Sequence, residues 1–145
     1  MNIIIDSNIL FSALIKDSTT RKIILEHEGF FLFPSFIFEE MQKHKHELLD
    51  KSGMTNQDFN LLLNLLLKKV IIIPNEKLQL YKQQADELVK DIDPDDSVFV
   101  ACALAYKGAL WTDDKRLKKV KEIRVLDTKE ITKSLIQNTA TSNSN

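Results

Sequence analysis

The stretch IIIDSNIL (residues 3–10) opens the chain with three isoleucines, then three polar residues, then apolar residues again. A short apolar run bounded by polar residues is typical of a strand that is buried on both faces, as in a parallel sheet. The pattern that follows predicts a helix from Asn8 to Leu14. A strand followed at once by a helix starts an α/β unit, so Asp6 is expected at the carboxyl end of a strand.

The rest of the chain continues this alternation of strands and helices. Further strands are predicted at 30–33, 70–73, 109–112 and 123–126, and further helices at 20–27, 35–49, 55–69, 76–90, 95–107 and 129–136. The pattern predicts an α/β fold with a central parallel sheet of about five strands, flanked by helices on both faces. Residues 1–136 are expected to form a single domain, and the polar stretch 137–145 a disordered tail.

Composition restricts the classes of function. The chain has 145 residues, of which 43% are hydrophobic, so it can bury a core; its net charge of −1 argues neither for nor against nucleic acid. The single cysteine, Cys102, excludes an internal disulfide framework and favours a reducing, cytoplasmic setting. No apolar run is long enough to span a membrane, and the first residues lack the basic region of a signal peptide.

Acidic residues recur where predicted strands end or predicted helices begin. The candidates are Asp6, Glu39 or Glu40, Asp95 or Asp96, and Asp113 or Asp114. Ligands of an open α/β sheet bind beyond the carboxyl ends of its strands, so these carboxylates are expected to meet there. Carboxylates that meet repel one another unless a cation lies between them, and oxygen ligands suit Mg²⁺ or Mn²⁺. The sequence therefore predicts a metal site at this edge of the sheet.

Each carboxylate also has a purely structural explanation. Asp6 could cap the helix that follows it. Neighbouring Glu39 and Glu40 face different directions on a helix, so at most one can reach a shared site. Glu40 and His44 have the spacing of a zinc-binding helix, but the run KHKHE (43–47) is more typical of a solvated face.

Four pieces of the chain resemble, in the same order, the PIN-domain nucleases, a family that includes the VapC-type toxins of toxin–antitoxin pairs. They are IIIDSNIL (3–10), FEEM (38–41), DDSVFVACALA (95–105) and LWTDDKRL (110–117). The resemblance selects, as catalytic and metal-binding acids with two polar partners, Asp6, Glu40, Asp96 and Asp114 with Asn8 and Thr112. It implies a Mg²⁺- or Mn²⁺-dependent endoribonuclease specific for single-stranded RNA. Such proteins are frequently homodimeric, and an antitoxin partner holds the toxins inactive by covering the acidic pocket.

An acidic pocket repels RNA, so basic residues are expected around it. A basic run follows the last acid and consists of Lys115, Arg116, Lys118 and Lys119. These side chains could bind phosphates on either side of the scissile bond, or they could form a solvated helix face.

Three apolar features bear on partners. Phe11 and Trp111 could stack on RNA bases, although packing in the core is the simpler explanation of both. The helix at 55–69 has leucines around most of its circumference, which predicts an interface with a second subunit or a protein partner.

Two other functions stay open. Asp6 could be the nucleophile of a Mg²⁺-dependent phosphatase, although such enzymes usually carry Asp-x-Asp where this chain has Asp-Ser-Asn. The chain could also be a non-catalytic PIN-like scaffold that binds RNA or protein, but the presence of all four acids argues against that.

Overall fold

The computed structural model describes the backbone of residues 1–143 and the side chains of residues 1–135. The strands are β1 (Ile3–Ile5), β2 (Phe31–Pro34), β3 (Val70–Ile73), β4 (Ala109–Trp111) and β5 (Arg124–Leu126). All pairings are parallel, in the order β3–β2–β1–β4–β5. The helices are α1 (Ser7–Ile15), α2 (Thr19–Glu26), α3 (Ile37–Ser52), α4 (Asn56–Leu67), α5 (Gln79–Val89), α6 (Ser97–Tyr106) and α7 (Thr128–Asn143). The predicted α/β class, with a five-stranded parallel sheet flanked by helices, is confirmed.

Burial along the strands follows their position in the sheet. The three central strands, β1, β2 and β4, are buried over their whole length, which explains their continuous apolar sequences. The edge strands β3 and β5 each expose residues, among them Ile71 at 47%. The core therefore lies around β1, next to Asp6 and the other residues that follow this strand.

The strand order creates a crevice beside β1. From β1 the chain moves outward through β2 to β3, and then returns to place β4 on the other side of β1. Such a reversal is the usual ligand-binding position of an open α/β sheet. Ile5 is in register with Trp111, so Asp6 and Thr112, the next residues of the two strands, both lie at this crevice.

The connection from α6 into β4 is tight. Lys107, at the C-cap of α6, takes the left-handed conformation with φ of 50°, so a lysine rather than the glycine that follows it ends this helix. Gly108 has a different role: a Cβ there would lie 2.7 Å from the carbonyl oxygen of Asn2. Glycine is therefore required by the close approach of the chain to the start of β1.

Some predicted boundaries also shift. Thr55, at the predicted start of α4, is its N-cap, since its hydroxyl accepts from the Asp58 amide at 3.1 Å, whereas α3 has Phe36 at its N-cap, one residue after its predicted start. Helix α7 continues to Asn143, beyond the helix end predicted at residue 136. The single domain predicted at 1–136 and the disordered tail predicted at 137–145 stay predictions, and residues 144 and 145 lie outside the described residues. Within the described chain, no helix has the length and apolarity needed to cross a membrane.

Candidate active site

A groove of about 480 Å³ opens beyond the carboxyl end of β1, between α1, α3 and the start of α6. Four of the predicted site residues line it, namely Asp6, Asn8, Glu40 and Asp96. The other two, Thr112 and Asp114, follow β4 next to Asp6. The fold therefore brings the predicted residues to one edge of the sheet, as the pattern of strand ends required.

Asp6 has both a structural and an electrostatic role. It caps α1, because its Oδ1 accepts from the Ile9 amide at 2.9 Å, and only 4% of the residue is exposed. Burial raises the pKa of this carboxyl above its ordinary value, while hydrogen bonds from Thr112 and Ile9 act in the opposite direction. The negative charges of Asp113 and Asp114 raise it further.

Asp96 lies at the N-cap of α6, but its side chain makes no capping hydrogen bond there. Burial raises the pKa of this half-buried carboxyl to about 7, and the charges of Asp93, Asp6 and Asp114 add to the shift. Asp96 is therefore held close to other carboxylates, and a cation placed among them would relieve the repulsion.

The negative charge of Asp114 is balanced by an arginine of the same chain. The Arg116 guanidinium donates to both of its oxygens, with Nε–Oδ1 at 3.0 Å and Nη2–Oδ2 at 2.7 Å. These bonds hold the pKa of Asp114 below its ordinary value. The same guanidinium lies 4.0 Å from Asp93, so Arg116 acts as a counter-ion on this side of the site.

The remaining predicted residues have less direct positions. Glu40 lies in the first turn of α3, and its Oε2 is 3.4 Å from Nε2 of His44. Asn8 is exposed on the first turn of α1. Thr112 is buried. Its hydroxyl accepts from the Asp114 amide at 3.1 Å and is hydrogen-bonded to Asp6, so it links these two acidic residues.

The chemistry of these residues fits a hard divalent cation, although their present orientation does not form a finished cage. Among the described side chains, no three His, Cys, Asp or Glu groups stand close enough to hold one metal ion. Burial and neighbouring carboxylates raise the pKa values of Asp6 and Asp96, so ionising both is costly unless a cation lies near them. Mg²⁺ and Mn²⁺ prefer such oxygen donors, and Mg²⁺ usually needs only one or two carboxylates with waters and substrate phosphates.

The predicted RNA-binding run divides into two kinds of residue. Arg116 bonds Asp114, and Lys118 is paired with Glu130, with Asp127 at 3.7 Å. Lys115 and Lys119 are exposed. The RNA-binding assignment stays a prediction for all four basic residues.

Several residues that line the groove were not among the predicted site residues. Ser7 lines it, and its buried Oγ is without a hydrogen-bond partner among the described residues. The run KHKHE was predicted to be solvated, which holds for His46, whose side chain is 93% exposed, but His44 faces the groove. Its ring centroid lies 5.7 Å from that of Phe11, for which core packing was the simpler of the two predicted explanations and which packs partly buried against the core. The spacing of His44 from Glu40, one helical turn, was the signal that could have placed it here.

Comparison with protein-family models matches residues 4–136 to the PIN domain. The chain belongs to the PIN-domain family. Membership confirms the resemblance carried by the four sequence pieces, and it implies nuclease activity in general. No curated protein matches the chain.

Solved structures of similar fold come from toxin–antitoxin complexes. VapBC2 from Rickettsia felis, bound to a promoter DNA fragment, matches with a TM-score of 0.67 and 17% identity, covering 88% of this chain and 98% of the other. A toxin–antitoxin complex from Klebsiella pneumoniae gives a TM-score of 0.62 and 15% identity over the same shares. FitAB bound to an IR36 DNA fragment gives 0.58 and 16%, covering 87% and 94%. At these identities the matches show that the PIN fold extends over most of the chain.

Proposed function

We propose that this PIN-domain protein is an endoribonuclease that depends on Mg²⁺ or Mn²⁺ and hydrolyses single-stranded RNA. The observation that carries the proposal is the pair Asp6 and Asp96 at the crevice of the sheet, because burial raises the pKa of both carboxyls and the charge of Asp6 raises the pKa of Asp96 further. Such a pair is costly to keep ionised unless a cation joins it. Their position at the strand-order reversal agrees with the family's nuclease activity.

Each predicted residue has a role that its surroundings support. Asp6 and Asp96 would hold the cation directly, and Glu40 and Asp114 would join them after turning from His44 and Arg116. Thr112 orients Asp6 through its hydrogen bond. Asn8, exposed in the groove, is placed to bind a substrate phosphate or an ordered water. When bound, the cation supplies charge stabilisation for in-line attack of water on phosphorus.

The partners follow from the exposed surfaces and from the similar structures. Lys115 and Lys119 are available to RNA phosphates, and Arg116 and Lys118 become so only when their ion pairs open. The similar structures are toxins in complex with antitoxins, which supports the role of a toxin with a cognate antitoxin. Leu61 and Leu65 of α4 are 58% and 50% exposed, which supports a homodimer or another protein contact through this helix.

The test is cleavage of a short single-stranded RNA by the purified protein. We expect cleavage with Mn²⁺ or Mg²⁺, none with a chelator, and none by Asp6→Asn, whose amide can still cap α1. Asp91→Asn, an exposed change in the loop before α6, is the matched control and should cleave normally. Cleavage by Asp6→Asn at the wild-type rate, or cleavage in the chelator, would refute the proposal. A covalent phosphoenzyme at Asp6 would indicate the phosphatase instead.

A further inference from the structure

The groove has a second half that the proposed chemistry does not use. Its acidic end holds Asp6 and Asp96, and from there it continues between α1 and α3. We call this continuation the α1–α3 groove. It is lined by Phe11, Ser12, Ile15, His44, Glu47 and Lys51.

The two walls of the α1–α3 groove are single faces of two helices. The wall from α1 starts at Asn8 and runs to Ile15, and the wall from α3 starts at Glu40 and runs to Lys51. The residues of each wall follow spacings of three and four, so they lie along one side of their helix. From Glu40 to Lys51 this wall is about 16 Å long, so a strand that crosses the carboxylates can continue along it.

Aromatic rings face each other across the α1–α3 groove. The rings of Phe11 and His44 come from opposite walls, with centroids 5.7 Å apart and planes inclined by 57°. Both residues are only partly buried, unlike Trp111, which is fully enclosed in the core. Ring surface is therefore left at the groove, and every nucleobase can stack on such surface.

The charges of the α1–α3 groove offset one another. Lys51 Nζ lies 2.8 Å from Glu47 Oε1, and His44 Nδ1 lies 3.5 Å from Glu47 Oε2. This half of the groove suits a neutral heteroaromatic ring better than a phosphate. A basic peptide would be drawn instead to the uncompensated carboxylates at the other end.

We propose that the α1–α3 groove is a subsite for one unpaired nucleobase of the RNA, next to the phosphate that is cleaved. The inference rests on the proposed ribonuclease function, because the strand reaches the groove by crossing the carboxylates. Phe11 stacks on the base, and Ser12, His44 and Glu47 offer hydrogen-bonding groups to its edge. The whole groove, acidic end included, has a volume of about 480 Å³, which lies within the range of small-molecule sites.

The experiment measures base stacking separately from cleavage. A short single-stranded RNA that carries the fluorescent base 2-aminopurine and phosphorothioate linkages, which slow hydrolysis, is titrated with the full-length protein in Mg²⁺ at low salt. Stacking in the subsite is expected to quench the fluorescence at one position of the base along the RNA. An RNA in which that position is abasic should bind about tenfold more weakly.

Two groove variants and one control locate the effect. Phe11→Leu removes the ring while keeping apolar volume, and we expect it to abolish most of the quenching and weaken binding about tenfold. Ser12→Leu narrows the groove from an exposed position without removing a core contact, so it covers the case in which Phe11→Leu weakens the fold. Phe38→Leu changes an aromatic of α3 that is 55% exposed and does not line the groove, and it should bind as wild type.

The outcomes separate this inference from the function on which it rests. Wild-type quenching and affinity in both groove variants, from a protein that cleaves RNA, would overturn the subsite and leave the nuclease intact. Position-specific quenching that both variants abolish, from a protein that cleaves no RNA with Mn²⁺, would keep the base site and overturn the nuclease. Variants that bind RNA normally but lose a co-purified protein partner would assign the groove to that protein and overturn the inference.

Discussion

The two sides of the acidic edge balance their negative charge differently. On the side of β1 and α6, no ion pair reaches Asp6 or Asp96 among the described side chains, and both pKa values are raised. On the side of β4, Arg116 binds Asp114 through both oxygens and lowers its pKa. The difference teaches that this chain supplies a counter-ion for one half of its site, whereas the other half has none among the described side chains and would need the proposed cation to balance it.

The largest expected effect comes from neutralising the uncompensated side. Asp96→Asn should reduce RNA cleavage with Mn²⁺ by about 100-fold or more, because a direct ligand of the cation is lost and a bound metal contributes several kcal/mol of charge stabilisation. Asp95→Asn, a change in the neighbouring exposed residue, should stay within a few-fold of wild type. If the initial cleavage rates of the two variants fell equally, Asp96 would have no role that Asp95 lacks, and the prediction would be wrong.

A smaller effect, of opposite sign, is expected on the compensated side. Arg116→Ala removes the guanidinium that competes for Asp114, so the pKa of Asp114 should rise towards its ordinary value. Mn²⁺ affinity of the RNA-free protein should then increase by roughly two- to tenfold, measured by calorimetric titration. Lys115→Ala, which removes a neighbouring exposed charge, is the control. Weaker Mn²⁺ binding by Arg116→Ala would mean that this arginine supports the site rather than competing for it.

The exposed lysines provide a third, weaker contrast. Lys119→Ala should raise the KM for RNA by about two- to fivefold and reduce the salt dependence of binding by about one unit of slope, because one phosphate contact is lost. Lys118→Ala should have less effect on the salt slope, since Lys118 is already paired with Glu130. Lys22→Ala on α2 controls for net charge. A larger change in slope for Lys118→Ala than for Lys119→Ala would reverse this assignment.

The smallest effect concerns stability in the absence of metal. The folded-state pKa of Asp96 is about 7, above its ordinary value of 3.8, so the folded protein holds this proton more tightly than the unfolded chain. Stability from this group is present below about pH 4 and is lost as the pH rises to about 7. Asp96→Asn lacks this loss and should melt roughly 2 °C higher than wild type at pH 8 in a chelator, with a smaller gain at pH 5. A constant difference at both pH values would remove titration of Asp96 as the cause.

Much of this arrangement could be predicted from short stretches of sequence. The strands β1 and β3 lie where their apolar runs placed them. Position at the end of a buried element pointed to Asp6 and to the pair Asp95 and Asp96, and the family resemblance selected Asp96 from that pair. The link between Arg116 and Asp114 could not be predicted, because it depends on side-chain direction in the 3₁₀ turn Lys115–Lys119. The sequence shows that this turn carries several lysines, but it does not show which of them form ion pairs and which are exposed.

The α1–α3 groove escaped prediction for a different reason. The sequence pattern favoured a core position for Phe11 and a solvated one for His44. The periodicity of a single helix separates only buried from solvent-exposed positions. The groove exists because α1 and α3 pack side by side and leave a third environment between them. The left-handed conformation of Lys107 was also not predicted. Glycine usually takes this conformation at a helix end, but the glycine here is at residue 108, where its missing Cβ allows close approach to Asn2.

The single tryptophan, Trp111, has a practical consequence. It is fully buried at the end of β4, one residue before Thr112, with the ring of Phe31 at 5.7 Å and its Nε1 donating to Thr128 at 3.0 Å. All indole emission from this protein therefore originates at one point directly behind the carboxylates. The chain carries an intrinsic fluorescent reporter, with which unfolding and the proposed cation binding can be tested in an unlabelled sample.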